Sequence, residues 1–341
     1  MHAVGHDREV SSAPVPAVDG AARVLVIGDA NPDLVLSGDV VPRFGQSEQL
    51  LDEASLVIGG SASITAHGLA RLGRPVSLLA AVGGDHFGAF MVDRLGEAGV
   101  DVRRIAVRQD RPTGLTVVLS RGDDRSMLTL TGALDSLTES DLDGALGDLQ
   151  AEGLRHVHVG SLFLLPSLAA VLAPFLGRAR EHGLTTALDT NDDPTGRWEG
   201  VDELLPHLDV LLPNRAEAVA LGREADPRRA AAALAAHGPL TVVKDGAAGA
   251  FAVSRDGAVT QVAGRGVRAV DTTGAGDTFD AAFLDAWLDQ VPLADALTRA
   301  VTAGARSVGH VGGTAGQPTR DQLTHDQRDA ATQQSGDRHE Q

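Results

Sequence analysis

The chain has 341 residues, 43% of them hydrophobic, so it is long enough for one large α/β unit or two smaller domains. Its formal net charge of −17 argues against a nucleic-acid partner and against an anionic membrane surface. There is no cysteine, which excludes disulfides and thiolate metal sites. No apolar run approaches the ~18–20 residues that span a bilayer, and the first residues lack a signal-peptide pattern. We therefore expect a cytoplasmic protein.

Both ends of the chain differ in composition from the middle. Residues 1–21 and 320–341 are polar or Pro-rich and show no apolar periodicity, so we expect two disordered tails. Residues 22–319 are then expected to form the folded domain.

The folded region opens with the pattern of a buried parallel strand. The apolar run Arg23–Gly28 leads into the polar segment Asp29–Asp33. Ligands gather beyond the carboxyl ends of strands in open α/β sheets, so Asn31 and Asp33 are candidates for hydroxyl recognition. An Asn-Pro turn is the alternative explanation of these residues.

A di-glycine, Gly59-Gly60, follows the next apolar run and precedes a helix predicted over 61–72. It suits a hinge, a close approach of the backbone, or a plain tight turn. Another apolar run and a helix over 87–98 continue an alternation of strands and helices. Such an alternation indicates a mostly parallel sheet.

Two segments break this alternation. Residues 114–120 and 125–131 alternate apolar with polar side chains, and the turn between them has the composition of a hairpin. With the segments near Asp39 and after Arg103, they predict a small separate sheet within 33–56 and 103–131. Such a sheet could cover a site as a lid.

Later strands end in polar residues, as expected of strand ends that face one crevice. Asp189 and Asn191 follow one strand, and Asn214 follows the next. Glu217 shares a helix face with Asn214, three residues away. The pair is either a capping pair or a site that contacts Mg²⁺ through water.

Lys244, the only lysine, ends a further strand. A glycine-containing turn with Gly246 and Gly249 follows it, and a hairpin pattern follows the turn. Lys244 could reach a nucleotide or be a simple surface charge.

The most informative stretch is Val270–Phe279. An extended run ends at Asp271, a turn with Gly274 and Gly276 follows, and Asp277 opens a helix with apolar residues every three or four positions. Free N–H groups at a helix start favour an anion, and the glycines let the backbone approach it. We interpret the stretch as a phosphoryl-transfer site with Asp277 as base. An aspartate that merely caps the helix is the alternative.

The order of these motifs resembles that of the ribokinase (PfkB) family of carbohydrate kinases. The resemblance covers about residues 23–318. It implies an α/β fold, an αβα sandwich with a mostly parallel central sheet and a small β-sheet lid, and ATP-dependent phosphorylation of a hydroxymethyl group. The matching motifs are Gly-Asp-Ala-Asn-Pro-Asp33, Gly59-Gly60, Gly83-Gly84-Asp85-His-Phe-Gly88, Asn214-x-x-Glu217 and Asp271-Thr-Thr-Gly-Ala-Gly-Asp277.

The resemblance also implies roles for individual residues. Asp277 would remove the hydroxyl proton, and backbone N–H groups would hold the charge of the transferring phosphate. The implied roles are anion binding by Gly274, Ala275 and Gly276; substrate binding by Asn31, Asp33, Gly59, Gly60 and Ser61; nucleotide binding by Asn191, Asn214, Lys244, Gly246, Gly249 and Thr272; Mg²⁺ binding through water by Asn214 and Glu217; and binding of a monovalent cation such as K⁺ by Asp271 and Thr273.

Three positions depart from common family patterns. Many sugar kinases carry Lys directly after the di-glycine and Asn four residues beyond it, where this chain has Ser61 and Ile64. Some sugar-acid kinases carry Arg four residues after the position of Asp189, where this chain has Asp193. Because a charged substrate requires cationic partners, we expect a small uncharged sugar, as for a ribokinase or fructokinase.

Other functions are also compatible with the sequence. One is a nucleoside kinase on the same fold, although 3% aromatic residues provide few rings for base stacking. Another is a sugar- or nucleotide-binding regulator without turnover, against which the acid at the anion site argues. A dinucleotide-dependent dehydrogenase is disfavoured because Gly-x-Gly-x-x-Gly does not follow the first strand. An exposed lid edge would favour a homodimer through the lid.

Overall fold

The computed structural model of the chain describes residues 22–121 and 124–326. The tail predicted at 1–21 and most of that predicted at 320–341 lie outside the described residues. Residues 320–326 are helical, with Leu323 buried and Arg320 paired to Asp285 at 2.7 Å. The prediction of disorder is therefore wrong for residues 320–326.

A nine-stranded sheet forms the centre of the described part of the chain, and seven adjacent strands in it are parallel. The two strands at one edge form an antiparallel hairpin. In spatial order the strands are β13 (Val259–Ala263), β12 (Gly249–Val253), β11 (Leu240–Lys244), β10 (Val210–Leu211), β9 (Thr185–Leu188), β8 (Leu154–Val159), β1 (Arg23–Ile27), β4 (Val76–Gly83) and β5 (Ile105–Arg108). The strand order reverses between β8 and β1, which is the position where open α/β sheets bind ligands.

Helices cover both faces of this sheet, so the predicted αβα sandwich is confirmed. They are α1 (Ser61–Arg71), α2 (His86–Glu97), α3 (Glu139–Ala151), α4 (Pro166–Glu181), α5 (Arg215–Gly222), α6 (Pro227–Ala235), α7 (Ala275–Leu288) and α8 (Leu293–Ser307). None of the described helices is both long and apolar enough to cross a membrane. The cytoplasmic location stays a prediction.

The central strands supply a core on each face because side chains alternate along a strand. Val24 and Val26 of β1 pack in one apolar cluster with α1, α2, α7 and α8. Leu25 and Ile27 pack in a second cluster with α3 and α4. Burial on both faces explains why the strand reads as an unbroken apolar run.

A second, four-stranded sheet forms the lid. Its strands in spatial order are β3 (Leu51–Ile58), β2 (Pro32–Gly38), β6 (Leu115–Arg121) and β7 (Asp124–Leu130). Strands β2 and β6 are parallel, and the other two pairs are antiparallel. β2 begins directly after the Asp29–Asn31 segment, so the lid is continuous with the end of β1.

Four strand predictions are corrected. β3 continues to Ile58, beyond the predicted limit of 56, and the segment near Asp39 is not a strand. The run after Arg103 forms β5 at the edge of the main sheet, paired with β4, and does not join the lid. The extended run predicted before Asp271 is a loop.

Candidate active site

The predicted substrate residues lie together at the carboxyl end of β1, beneath the lid. Nδ2 of Asn31 donates to Oδ1 of Asp33 at 3.1 Å and to Oγ1 of Thr116, on lid strand β6, at 3.2 Å. A Cβ at position 59 would lie 2.0 Å from Oδ1 of Asp33, so glycine there lets the backbone approach the carboxylate. Of the explanations open for the di-glycine, the geometry therefore fits a close approach.

Asp33 is buried in this pocket. Burial raises its pKa to about 7, the charge of Asp29 adds to the rise, and Arg125 works against it. Arg125 lies on lid strand β7, and its Nη1 donates to Oγ1 of Thr273 at 2.7 Å. The end of the lid thus contacts the loop before the glycine turn.

Asp277 lies in the first turn of α7 and is 9% exposed. Its Oδ1 accepts a hydrogen bond from the hydroxyl of Ser61, the first residue of α1. Burial raises the pKa of Asp277 to about 7, with the charge of Asp189 as the next cause. A general base is most effective with a pKa near the working pH, so this carboxyl is suited to proton transfer.

The glycine turn places the start of α7 against the loop around residue 313. Gly274 has φ 68°, and a Cβ there would lie 2.6 Å from Cα of Gly313. No side chain of the described residues caps α7. The N–H of Ala275 donates to the carbonyl oxygen of Thr272 at 3.3 Å, so the N–H groups of Gly274 and Gly276 are the ones available to an anion.

A cavity of about 400 Å³ lies against the glycine turn. Four of the predicted nucleotide-binding residues line it, namely Lys244, Gly246, Gly249 and Thr272. Much of the remaining wall is apolar, and Ala275 and Gly276 of the turn also contribute. A mostly apolar cavity of this size with a few polar groups is typical of small-molecule sites.

Two residues predicted to bind nucleotide lie outside this cavity lining. Nδ2 of Asn191 donates to Oγ of Ser161 at 2.9 Å, and Oδ1 of Asn191 lies 3.4 Å from Oγ of Ser61. Asn191 is thus on the substrate side of the turn. Asn214 caps helix α5.

Asn214 and Glu217 form a capping box. Oδ1 of Asn214 accepts from the backbone N–H of Glu217 at 3.0 Å, and Oε2 of Glu217 accepts from the N–H of Asn214 at 2.8 Å. Burial and then the charge of Asp189 raise the pKa of Glu217 to about 7. The capping alternative therefore describes the local structure, and the Mg²⁺ role stays a prediction.

Asp271 joins the loop before the turn to the loop after α8. Its Oδ1 accepts from N and Oγ1 of Thr273 at 2.8 and 2.7 Å, and its Oδ2 accepts from N of Gly312 at 2.8 Å. Burial opposes ionisation, but these bonds hold the pKa of Asp271 below its usual range. The carboxylate is therefore charged at neutral pH, and its binding of a monovalent cation stays a prediction.

Lys244 lines the cavity, but carboxylates hold its ammonium. Nζ lies 2.8 Å from Oδ2 of Asp189 and 3.0 Å from Oδ2 of Asp280. It is not a simple surface charge, since its side chain is 12% exposed. Sequence analysis did not identify Asp280 as a partner of Lys244, because Asp280 lies within the regular apolar spacing of α7.

Asp29 and Ser161 are further site residues that the sequence analysis did not select. Oδ2 of Asp29 accepts from Oγ of Ser161 at 2.7 Å, and Oδ1 accepts from N of Ala62 at 2.9 Å. Burial raises the pKa of Asp29. Each lies two residues after a strand end, which was the available signal.

The departures from the family pattern have local explanations. Ile64 is 3% exposed and packs against the loop at Gly313, where a Cβ would lie 2.5 Å from Cδ1 of Ile64. The carboxylate of Asp193 accepts from the backbone N–H groups of Thr195 and Trp198 at 2.8 and 2.7 Å, so it stabilises its own turn.

Comparison with known proteins decides the family. The model of the pfkB family of carbohydrate kinases matches residues 21–320. The chain belongs to this family. The matched residues include the Asp271–Asp277 motif, the lid strands and the central sheet, and the chain is a carbohydrate kinase.

Individual relatives cover nearly the whole chain. A ribokinase of Haemophilus influenzae is 28% identical over 87% of this chain and 95% of its own. An ATP-dependent ribose-1-phosphate kinase of Halopiger xanaduensis is 30% identical over 88% of this chain and 96% of its own. A solved E. coli structure described as a ribokinase II in complex with ATP and Mg²⁺ has a TM-score of 0.80 and 23% identity, covering 90% of this chain and 99% of that one. The last similarity supports the fold.

Proposed function

We propose that this carbohydrate kinase transfers the terminal phosphate of ATP to a hydroxymethyl group of a small sugar. One observation carries the proposal, the position of Asp277. It is hydrogen-bonded to Ser61, next to the di-glycine that packs against Asn31 and Asp33, and it directly follows Gly276, which lines the cavity. Its carboxylate can take the hydroxyl proton as the sugar oxygen attacks the phosphorus. The N–H groups of Gly274 and Gly276, with that of Ala275 once it leaves the carbonyl of Thr272, hold the charge of the transferring group. This is most of what phosphoryl transfer requires.

Magnesium is expected with ATP, as in the E. coli structure. The donor set suits a hard cation, because Glu217 offers carboxylate oxygens beside the amide of Asn214. Bound Mg²⁺ would neutralise phosphate charge. A monovalent cation such as K⁺ near Asp271 and Thr273 remains part of the proposal, since Asp271 is charged and borders the loop of residues 308–313.

Ribose or fructose is the first candidate substrate. The amide of Asn31, the carboxyl of Asp33 and the hydroxyls of Ser61 and Thr116 suit the hydroxyl groups of an uncharged sugar. Two of the comparisons above are with proteins described as ribokinases.

Arg125 favours a second candidate, an anionic sugar. Its guanidinium lies in the lid and lowers the pKa of Asp33, so a cation does stand near the acceptor pocket. The relative from Halopiger is described as a ribose-1-phosphate kinase. A sugar phosphate therefore belongs in any substrate screen.

The test is coupled detection of ADP against ribose, fructose, ribose 1-phosphate, adenosine and inosine, with and without Mg²⁺ and K⁺. The proposal requires Mg²⁺-dependent ADP release with one sugar, and mass spectrometry must find one added phosphate on it. Turnover with the nucleosides alone would establish a nucleoside kinase instead. Thermal stabilisation by ligands without ADP release across the panel would indicate a non-catalytic binding protein.

We also propose a homodimer through the lid. Several large apolar side chains on or beside the lid strands are exposed, among them Leu50 (84%), Met127 (60%), Leu128 (57%) and Leu130 (54%). Burial in a partner would remove this surface from water. Light scattering should give twice the chain mass, and Leu128→Glu should give the monomer. A monomer for the unaltered chain would contradict the proposal.

A further inference from the structure

Asp189, Lys244 and Asp280 form an interior triad of charged side chains. The ammonium of Lys244 bridges the two carboxylates at 2.8 and 3.0 Å, and both aspartates are almost fully buried. The three side chains come from β11, from the end of β9 and from α7. The ion pairs therefore join three separate elements of the fold.

The triad adjoins the proposed base. Asp189, Asp277 and Asp280 each offer a carboxylate oxygen, and these atoms all lie within 4.8 Å of one another. Nζ of Lys244 is 3.5 Å from the point where a Cβ on Gly276 would stand. The ammonium therefore lies next to both the acidic cluster and Gly276 of the glycine turn.

The protonation of the triad is unequal. Burial raises the pKa of Asp280 well above its usual range. Burial acts on Asp189 in the same direction, but the charge of Lys244 and a hydrogen bond with Asp280 hold the pKa of Asp189 below its usual range. The ammonium of Lys244 thus pairs with the ionised Asp189, and Asp280 is the more readily protonated of the two carboxyls. Within the described residues, Oδ1 of Asp280 has no hydrogen-bond partner.

We propose that Asp189, Lys244 and Asp280 are positioning residues that fix Asp277 at the glycine turn and control its charge. This inference rests on the proposed role of Asp277 as the base. Asp189 raises the pKa of Asp277, whereas Lys244 lowers it. Burial is the largest cause of the raised pKa of Asp277, and the opposite charges of Asp189 and Lys244 then act on that pKa in opposite directions.

Other charged groups around Asp277 do not replace this control. Asp29 also raises the pKa of Asp277, but its carboxylate is bound to Ser161 and Ala62 at the end of β1. His158 of β8 is buried, and burial lowers its pKa to about 4, so it is neutral. Glu217 acts on the pKa of Lys244, after Asp189 and Asp280.

The test compares Lys244→Met, Asp189→Asn and the double variant through the pH dependence of kcat/KM, which reports the free enzyme. Lys244→Met should move the acidic limb to higher pH and Asp189→Asn to lower pH, each by about one unit, the scale of a neighbouring charge. The double variant removes a neutral pair and should return the limb close to its original position. Lys244→Arg keeps the positive charge, so its acidic limb should lie close to that of the unaltered chain. Asp280→Asn, at the carboxyl that protonates more readily, should move the acidic limb less than either single change.

The proposal is overturned if the acidic limb of the kcat/KM profile stays at the same pH in both single variants while kcat falls equally at all pH values. If Lys244→Met fails to fold by circular dichroism, Asp189→Asn decides alone, and an unmoved or upward limb overturns it. Absence of turnover in the unaltered chain would instead refute the proposed function. In that case the triad is still tested by NMR titration of Asp277 with ¹³C-labelled aspartate, where Asp277→Asn assigns the signal. The pKa of Asp277 should rise in Lys244→Met and fall in Asp189→Asn.

Discussion

The hydroxyl of Ser61 donates a hydrogen bond to Oδ1 of Asp277, across 216 residues of chain. The contact joins the start of α1, beside the substrate pocket, to the first turn of α7, beside the anion site. Ser61 stands where many sugar kinases of the family carry Lys. The base is therefore held by a neutral donor, and its pKa depends strongly on burial.

Ser61→Ala should move the acidic limb of kcat/KM to higher pH. The lost hydrogen bond lowers the pKa of Asp277, so its removal raises that pKa. The shift should be about one pH unit or less, since such a bond contributes about 1 kcal/mol. Ser254→Ala, in the distant hairpin loop, is the control. An unchanged or downward shift would contradict the contact.

Asp277→Asn should lower kcat by about 10²–10⁴-fold, the usual effect of a general base, while the protein stays folded. Coupled ADP assays measure the rate, and circular dichroism monitors the fold. The control is Asp93→Asn, an exposed acid on α2. If Asp277→Asn retains activity comparable to that of the control variant, the carboxylate is not the base.

The same substitution should stabilise the protein increasingly as the pH rises. The pKa of Asp277 is about 7 in the folded state against an ordinary 3.8. Its contribution to stability is full below the ordinary value and is lost as the pH rises through the folded value. The gap in Tm between Asp277→Asn and the unaltered chain should therefore widen from pH 5 to pH 7 and then level off. A gap that narrows over this interval would show that Asp277 is not held in its protonated form by burial.

Arg125→Ala should raise the KM for the sugar while changing kcat little. The contact of Arg125 with Thr273 holds the lid end over the site, and its charge acts on Asp33. We expect an increase of about three- to tenfold, because the partly exposed side chain contributes about 1 kcal/mol. Arg121→Ala, an exposed residue at the end of β6, is the matched control. Equal effects of the two changes would argue against a specific lid contact.

Glu217→Gln should raise the Mg²⁺ concentration for half-maximal rate by about tenfold, as expected for a residue acting on the metal through water. The amide keeps one oxygen for the capping box, so the Tm should fall only slightly. Initial rates over a Mg²⁺ titration measure the effect. A lower Tm with unchanged Mg²⁺ dependence would leave Glu217 with the capping role alone.

Much of the fold was predictable because local pattern and tertiary environment agree. The run Arg23–Gly28 reads as a buried strand and is one, and the spacing after Asp277 predicts α7. The lid hairpin was predictable from its alternation, but periodicity does not say which sheet a strand joins. β3 and β5 were therefore assigned without knowledge of their partners.

The contacts within the site depend on tertiary structure and could not be read in advance. Asp277 and Ser61 were both selected from the sequence, but their hydrogen bond was not. Lys244 was selected for its charge, whereas its two acidic partners lie 55 and 36 residues away. Residues 320–326 have a polar composition that conceals a single buried anchor, Leu323.

The most direct measurement is ADP release by the unaltered chain and by Asp277→Asn, with ribose, fructose and ribose 1-phosphate in the presence of Mg²⁺. We expect turnover with at least one of these sugars, a matching phosphorylated product, and near-complete loss of both in Asp277→Asn. Equal turnover by the two proteins, or sugar-independent ATP hydrolysis alone, would contradict it.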